Sequence, residues 1–186
     1  EMVGGVRVVE GTAFTYTARD GQEVEGVLIE PVGGAPRGGA PLILNVHGGP
    51  EAHDSNGWQT AYSKPGQVAA GQGYAVFLPN YRGSTGYGTA FSKQHTGNYT
   101  DPEFTDLVDA KRALVAAGIA DADRTGVTGG SYGGYATAWS STRWSEEFAA
   151  GVMFVGISNQ VSKVGTGDIP YETGAYTHSR DNETVQ

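Results

Sequence analysis

Gly126-Val-Thr-Gly129-Gly130-Ser131-Tyr132-Gly133-Gly134-Tyr135 joins an apolar segment to one with helical spacing. It contains G-x-S-x-G, the pattern of a sharp strand-to-helix turn that holds a serine hydroxyl exposed and nearly immobile. Serine is a weak nucleophile unless it is held in this way beside a base. Crowding at such a turn excludes side chains from the flanking positions, which accounts for Gly129 and Gly133. The backbone N–H of Tyr132, at the mouth of the following helix, can then face a developing oxyanion. A glycine-rich loop with an incidental serine is the alternative, and the surrounding chain decides between them.

Working outward, buried strands alternate with helices. Thr125 to Thr128 leads into the turn, residues 134–142 read as the helix behind it, and residues 150–155 (Ala-Gly-Val-Met-Phe-Val) as another buried strand. Upstream, Leu42 to Val46 is a continuous apolar run of the kind buried on both faces of a parallel sheet, and residues 74–78 form a second. Residues 65–72 suggest a short helix. Thr100-Asp-Pro-Glu103 predicts a capping box. The helix it opens carries Phe104, Leu107, Val108, Ala110, Leu114 and Val115 on one face and stops at Gly118. At the N-terminal end, two alternating runs flank Asp20-Gly21, a hairpin signal. Residues 32–40 are a Gly- and Pro-rich surface loop. The pattern predicts an α/β fold with a mostly parallel sheet and helices on both faces.

A second cluster, His47-Gly48-Gly49-Pro50, directly follows the strand at 42–46. In a layered sheet this loop sits at the carboxyl edge beside the serine turn, where ligands bind. The Gly49 N–H is therefore a second candidate oxyanion donor beside Tyr132. A tight turn that merely needs glycine is the competing explanation.

Composition bounds the function. The 186 residues suffice for one core-bearing domain, and 38% hydrophobic with 17% charged residues fits a globular protein. A formal charge of −8 with scattered Lys and Arg argues against a nucleic-acid role. The absence of cysteine excludes disulfides and thiolate chemistry. No cofactor or metal is expected. No apolar run reaches membrane-spanning length and no leader pattern follows Glu1, so a cytoplasmic location is slightly favoured.

His47-Gly-Gly-Pro, Asn80-Tyr-Arg-Gly-Ser-Thr-Gly-Tyr-Gly88 and Gly129-Gly-Ser-Tyr-Gly-Gly-Tyr135 together resemble the catalytic α/β-hydrolase domain of prolyl oligopeptidase family serine peptidases. The acylaminoacyl-peptidase and dipeptidyl-peptidase-like branch matches best. Ile157-Ser-Asn159 and Gly165 to Pro170 also resemble it, and the likeness spans roughly residues 12–171. The resemblance implies a Ser131 nucleophile, an oxyanion hole from the Gly49 and Tyr132 amides, and a structural Arg82 holding the loop at 80–88. The substrate would be a peptide or a small ester.

The chain departs from the family pattern after Ser131. In this fold the triad Asp and His follow the serine, and the family places them beyond the last residue of this chain. His178 is the sole histidine after Ser131, while Asp168 lies in a stretch read as structural and Asp181 in the tail. Residues 172–186 form a divergent polar tail, in which a base held within hydrogen-bond reach is not expected. His47 belongs to the oxyanion loop, and His53 and His95 are read as surface-loop residues. The chain is thus expected to be a single, partial α/β-hydrolase domain spanning 1–186, lacking its last strands and the family's β-propeller. A weakened or inactive hydrolase, or a non-catalytic interaction module, is the alternative. Its uncovered edge is expected to associate with itself or with a complementary segment.

Overall fold

A computed structural model describes residues 2–3, 6–57 and 64–170. A short ribbon, β1 (Met2–Val3) and β2 (Val6–Arg7), precedes the main sheet. The main sheet contains β3 (Thr12–Thr17), β4 (Glu23–Ile29), β5 (Ala40–Val46), β6 (Ala75–Asn80), β7 (Ala120–Gly130) and β8 (Ala150–Phe154). Between and after them lie α1 (Gly66–Gly71), α2 (Thr89–Ser92), α3 (Glu103–Ala116), α4 (Tyr132–Arg143) and α5 (Gln160–Thr166).

The strand order is β3-β4-β6-β5-β7-β8. The first three strands pair antiparallel in that order, through the Asp20-Gly21 hairpin and the β4–β6 ladder. The ladders of β5 with β6, β5 with β7 and β7 with β8 are parallel. Inner strands of a sheet covered by helices on both sides must bury both faces, and alternation along β4 and β6 shows it. Val24, Leu28, Ala75 and Phe77 face a core shared with α3 and α4. Val27, Ile29, Val76 and Leu78 face the opposite core, with Ala69 and Ala70 of α1. Helices therefore cover both faces, as the residue pattern predicts.

Arg82, just past β6, is pinned within this frame. Its Nε donates to both oxygens of Asp106, its backbone N–H donates 3.0 Å to Oδ2, and a further guanidinium nitrogen reaches Asp20. Asp106 is fully buried on α3. The guanidinium ties the β3–β4 hairpin and α3 to the loop that begins at β6, so the structural role expected for Arg82 extends beyond that loop.

Three expectations need correction. Residues 150–155 form β8 as expected, but the strand is not buried. Val152 is 66% exposed and Phe154 40%, because β8 is the outer strand and no helix among the described residues packs on one of its faces. His95 is not on the surface: it is 1% exposed and edge-on to Tyr99. The capping box is only half formed. The helix starts at Glu103 behind Pro102, without a side-chain cap, and the Glu103 carboxylate accepts the Thr100 N–H at 2.5 Å. The tail 172–186, with His178 and Asp181, lies outside the described residues.

Candidate active site

The site forms where β5 and β7 end side by side. Val46 pairs with Gly129 in the parallel ladder, and the next residues of β7 turn sharply into α4. A Cβ on Gly129 would lie 2.3 Å from the Val46 carbonyl oxygen, and one on Gly133 2.0 Å from the same atom. Both contacts are impossible, so glycine is required at each. Gly134 is confined in the same way against Gly156 and the Phe154 carbonyl. The glycines of the motif therefore let α4 start directly against the sheet.

Ser131 occupies the apex with φ +57° and ψ −118°, a conformation in which non-glycine residues are strained. The turn is held at both sides: Ser131 N–H donates to Phe154 O at 3.2 Å, and Ser131 O accepts from Tyr135 N–H at 3.0 Å. The Ser131 side chain is exposed and caps nothing in α4. A surface hydroxyl on a strained, clamped backbone is the arrangement of an attacking serine.

The His47–Pro50 loop lies against it. A Cβ on Gly48 would stand 3.2 Å from Ser131 Cβ and 3.7 Å from its Oγ, so a side chain there would press directly on the serine. Gly49 adopts φ +125°, a region closed to most side chains. The loop is fastened from below. His47 is buried and stacks on Tyr81 with ring centroids 4.4 Å apart. Tyr81 donates its hydroxyl to His47 O at 2.8 Å.

Among the described residues, no histidine ring nitrogen is hydrogen-bonded to the Ser131 hydroxyl. His47 Nδ1 lies 2.7 Å from Gly48 O, and Nε2 lies 2.9 Å from Ser84 Oγ. Burial lowers its pKa below the ordinary histidine value, which favours the neutral ring, and the Ser84 hydroxyl donates its own proton to the Tyr81 carbonyl oxygen at 2.6 Å. Both nitrogens are occupied. His53 is exposed and sits 2.9 Å from Thr85 Oγ1. His95 is enclosed beside Gly83. His178, the sole histidine after Ser131, lies outside the described residues, and among the described residues no cluster could hold a metal.

Sequence reasoning passed over one functional group. Glu103, read only as a helix start, is completely buried behind the turn. Its Oε1 accepts the Tyr132 hydroxyl at 2.6 Å. Burial, opposed by that bond and by the Thr100 N–H, pushes its pKa up to about 7. The signal available was an acidic residue directly before the buried face of a helix, a face that begins at Phe104.

The sequence profile of the prolyl oligopeptidase family matches residues 60–186. A dipeptidyl aminopeptidase BIII from Pseudoxanthomonas mexicana is 44% identical over 119 residues, 64% of this chain and 17% of its own length. Among solved structures, the uncomplexed Pyrococcus horikoshii acylaminoacyl peptidase superposes with TM-score 0.80 at 31% identity, covering 92% of this chain and 27% of its own. An acylaminoacyl peptidase in complex with Z-Gly-Gly-Phe-chloromethyl ketone superposes with TM-score 0.79 at 32% identity, again covering 92% and 27%. The chain thus spans about a sixth to just over a quarter of the length of these relatives.

The raised Glu103 pKa makes stability depend on pH with a definite sign. The folded protein holds this proton more tightly than the unfolded chain, where the ordinary value is 4.5. The stabilising contribution is complete below that value and is lost as pH rises through about 7. Between pH 4 and pH 8 the wild type should lose about 3 kcal/mol of stability relative to Glu103→Gln, which has no such proton. Urea titrations of both proteins at several pH values read this difference. Parallel stability–pH curves would contradict the assignment.

Proposed function

The chain belongs to the prolyl oligopeptidase family, and from that premise we propose that it is a serine hydrolase. Ser131 attacks the carbonyl of a peptide or ester and forms an acyl-enzyme, while the Tyr132 and Gly49 amides bind the oxyanion. The observation that carries this reading is the strained, exposed Ser131 clamped beside the Gly48–Gly49 backbone. The chemistry follows from proton bookkeeping. Attack on an ester with a good leaving group needs little acid assistance, whereas an amide needs a proton delivered to the departing nitrogen. In the family pattern a triad Asp and His carry that burden; neither is identified in this sequence, where His178 is the sole histidine after Ser131. Hydrolases stripped of triad members keep roughly 10³- to 10⁴-fold catalysis over water. Activated esters are therefore the substrates of choice for a first assay. The relative bound to Z-Gly-Gly-Phe-chloromethyl ketone supports a peptide as the natural substrate class.

The test is turnover of p-nitrophenyl acetate together with labelling by a fluorophosphonate. The wild type should be labelled and should turn over the ester, and Ser131→Ala should lose both. Turnover at full strength in Ser131→Ala would place the chemistry elsewhere.

A second reading, as an interaction module, rests on β8. Val152, Met153, Phe154 and Val155 are all exposed, and an apolar trough of about 710 Å³ bordered by Ile43, Tyr74, Val152 and Phe154 runs beside them. Each large apolar side chain kept in water forgoes roughly 1.5–3 kcal/mol of burial. We propose that this edge is covered by a second copy or by a complementary segment that brings further strands. Sedimentation at micromolar concentration should show species heavier than the monomer, and a single monomer across the concentration range would remove this reading.

A further inference from the structure

We propose that Glu103 is a positioning residue for the oxyanion site: its buried carboxyl holds the Tyr132 phenol and, through that ring, fixes the Tyr132 backbone N–H beside Ser131. The proposal rests on the reading of the Tyr132 amide as an oxyanion donor.

Tyr132 is the first residue of α4 and directly follows Ser131. The orientation of its amide is set by the first turn of the helix, and a first turn lacks half of the hydrogen bonds that hold a helix interior. Something else must fix it. Here the ring is boxed by Tyr99, Phe104 and Tyr135, with centroids 5.3, 5.4 and 5.8 Å away. That leaves the ring little rotational freedom. Its tip is then pinned by the hydroxyl bond to Glu103 Oε1 at 2.6 Å. Backbone and side chain are thus held at opposite ends of one rigid residue.

The same Glu103 oxygen accepts the N–H of Thr100, a β-branched residue at φ +75°. A conformation so rarely populated persists only when its surroundings over-determine it. Thr100 follows Tyr99, one of the walls around the Tyr132 ring, so one carboxyl secures both the phenol and the segment that confines it. The cluster also reaches the other oxyanion donor. Tyr81 lies 6.3 Å from Tyr132, stacks on His47 and donates to His47 O, just before Gly48 and Gly49. Both halves of the site are therefore attached to one aromatic block.

Stability alone does not account for a carboxyl at this place. The other oxygen, Oε2, is buried without a hydrogen-bond partner, a costly state for so polar a group. A buried acid with an orphan oxygen, retained behind a strained nucleophile, fits a placement made for geometry at the site.

The experiment is steady-state hydrolysis of p-nitrophenyl acetate by the full chain and by Glu103→Ala, Glu103→Gln, Tyr132→Phe and the Glu103→Ala/Tyr132→Phe pair. Folding of each is checked by circular dichroism. An oxyanion donor acts in the transition state, so Glu103→Ala and Tyr132→Phe should each lower kcat about tenfold or more with KM within about twofold. Glu103→Gln keeps an acceptor oxygen and should remain within about threefold of the wild type. Because Glu103 acts through the phenol, the double variant should be no slower than the worse single one. Should Glu103→Ala fail to fold, Tyr132→Phe, which removes one oxygen, and Glu103→Gln decide alone. Wild-type kcat in Tyr132→Phe or in a folded Glu103→Ala, or multiplicative losses in the double variant, overturns the proposal. Wild-type protein without Ser131-dependent turnover overturns instead the reading on which it rests.

Discussion

The Val46 carbonyl oxygen is where this structure is tightest. Gly129 of β7 and Gly133 of α4 both approach it so closely that neither can carry a side chain. Close packing of backbone on backbone leaves no room for adjustment, because no flexible side chain can move aside. The helix must therefore begin within one residue of the strand, and that residue, Ser131, is left at φ +57°. Strain of this kind costs on the order of 1–3 kcal/mol. The parallel β5–β7 ladder, the buried face of α4 and the core around Phe104 and Leu107 hold it in place. The exposed hydroxyl is a geometric result of a steric contact several ångströms beneath it.

From that contact the other parts of the site take their places. Because β5 ends where Gly129 pairs with Val46, the loop that follows it must run past the serine, and glycine at 48 keeps the approach open. His47 is then carried inward, where both of its ring nitrogens are engaged. A histidine in the most prominent motif of the chain is thus a structural clamp. The polar groups behind the turn follow the same logic. Arg82 and Asp106 form a buried pair that joins hairpin, helix and loop, while Glu103, which pairs with no cation among the described residues, has its proton affinity raised by burial.

How much of this could be read in the sequence depends on the range of the interaction responsible. The G-x-S-x-G turn, the hairpin at Asp20-Gly21 and the face of α3 are local, since the residues that decide them are within a few positions of one another. The parallel character of β5 and β6 was legible in apolar runs too continuous for a half-exposed strand. Burial set by distant neighbours was not legible. His95 looks like a loop histidine until Gly83 and Tyr99 close around it. The run at 150–155 has the composition of a buried strand, and only the sheet order reveals it at the edge. Glu103 follows three residues after a threonine and does accept its N–H, but nothing local reveals its second partner, Tyr132, 29 positions away.

The central claim is that the Ser131 turn and the Gly48–Gly49 backbone form one oxyanion-binding unit. A crystal structure of the chain after reaction with a fluorophosphonate tests it most directly, since the bound phosphonyl oxygen stands in for the oxyanion. The account predicts phosphorus bonded to Ser131 Oγ and its free oxygen about 3 Å from both the Tyr132 and Gly49 nitrogens. An adduct on Ser131 whose oxygen points to solvent, with the Gly49 N–H turned elsewhere, would contradict it.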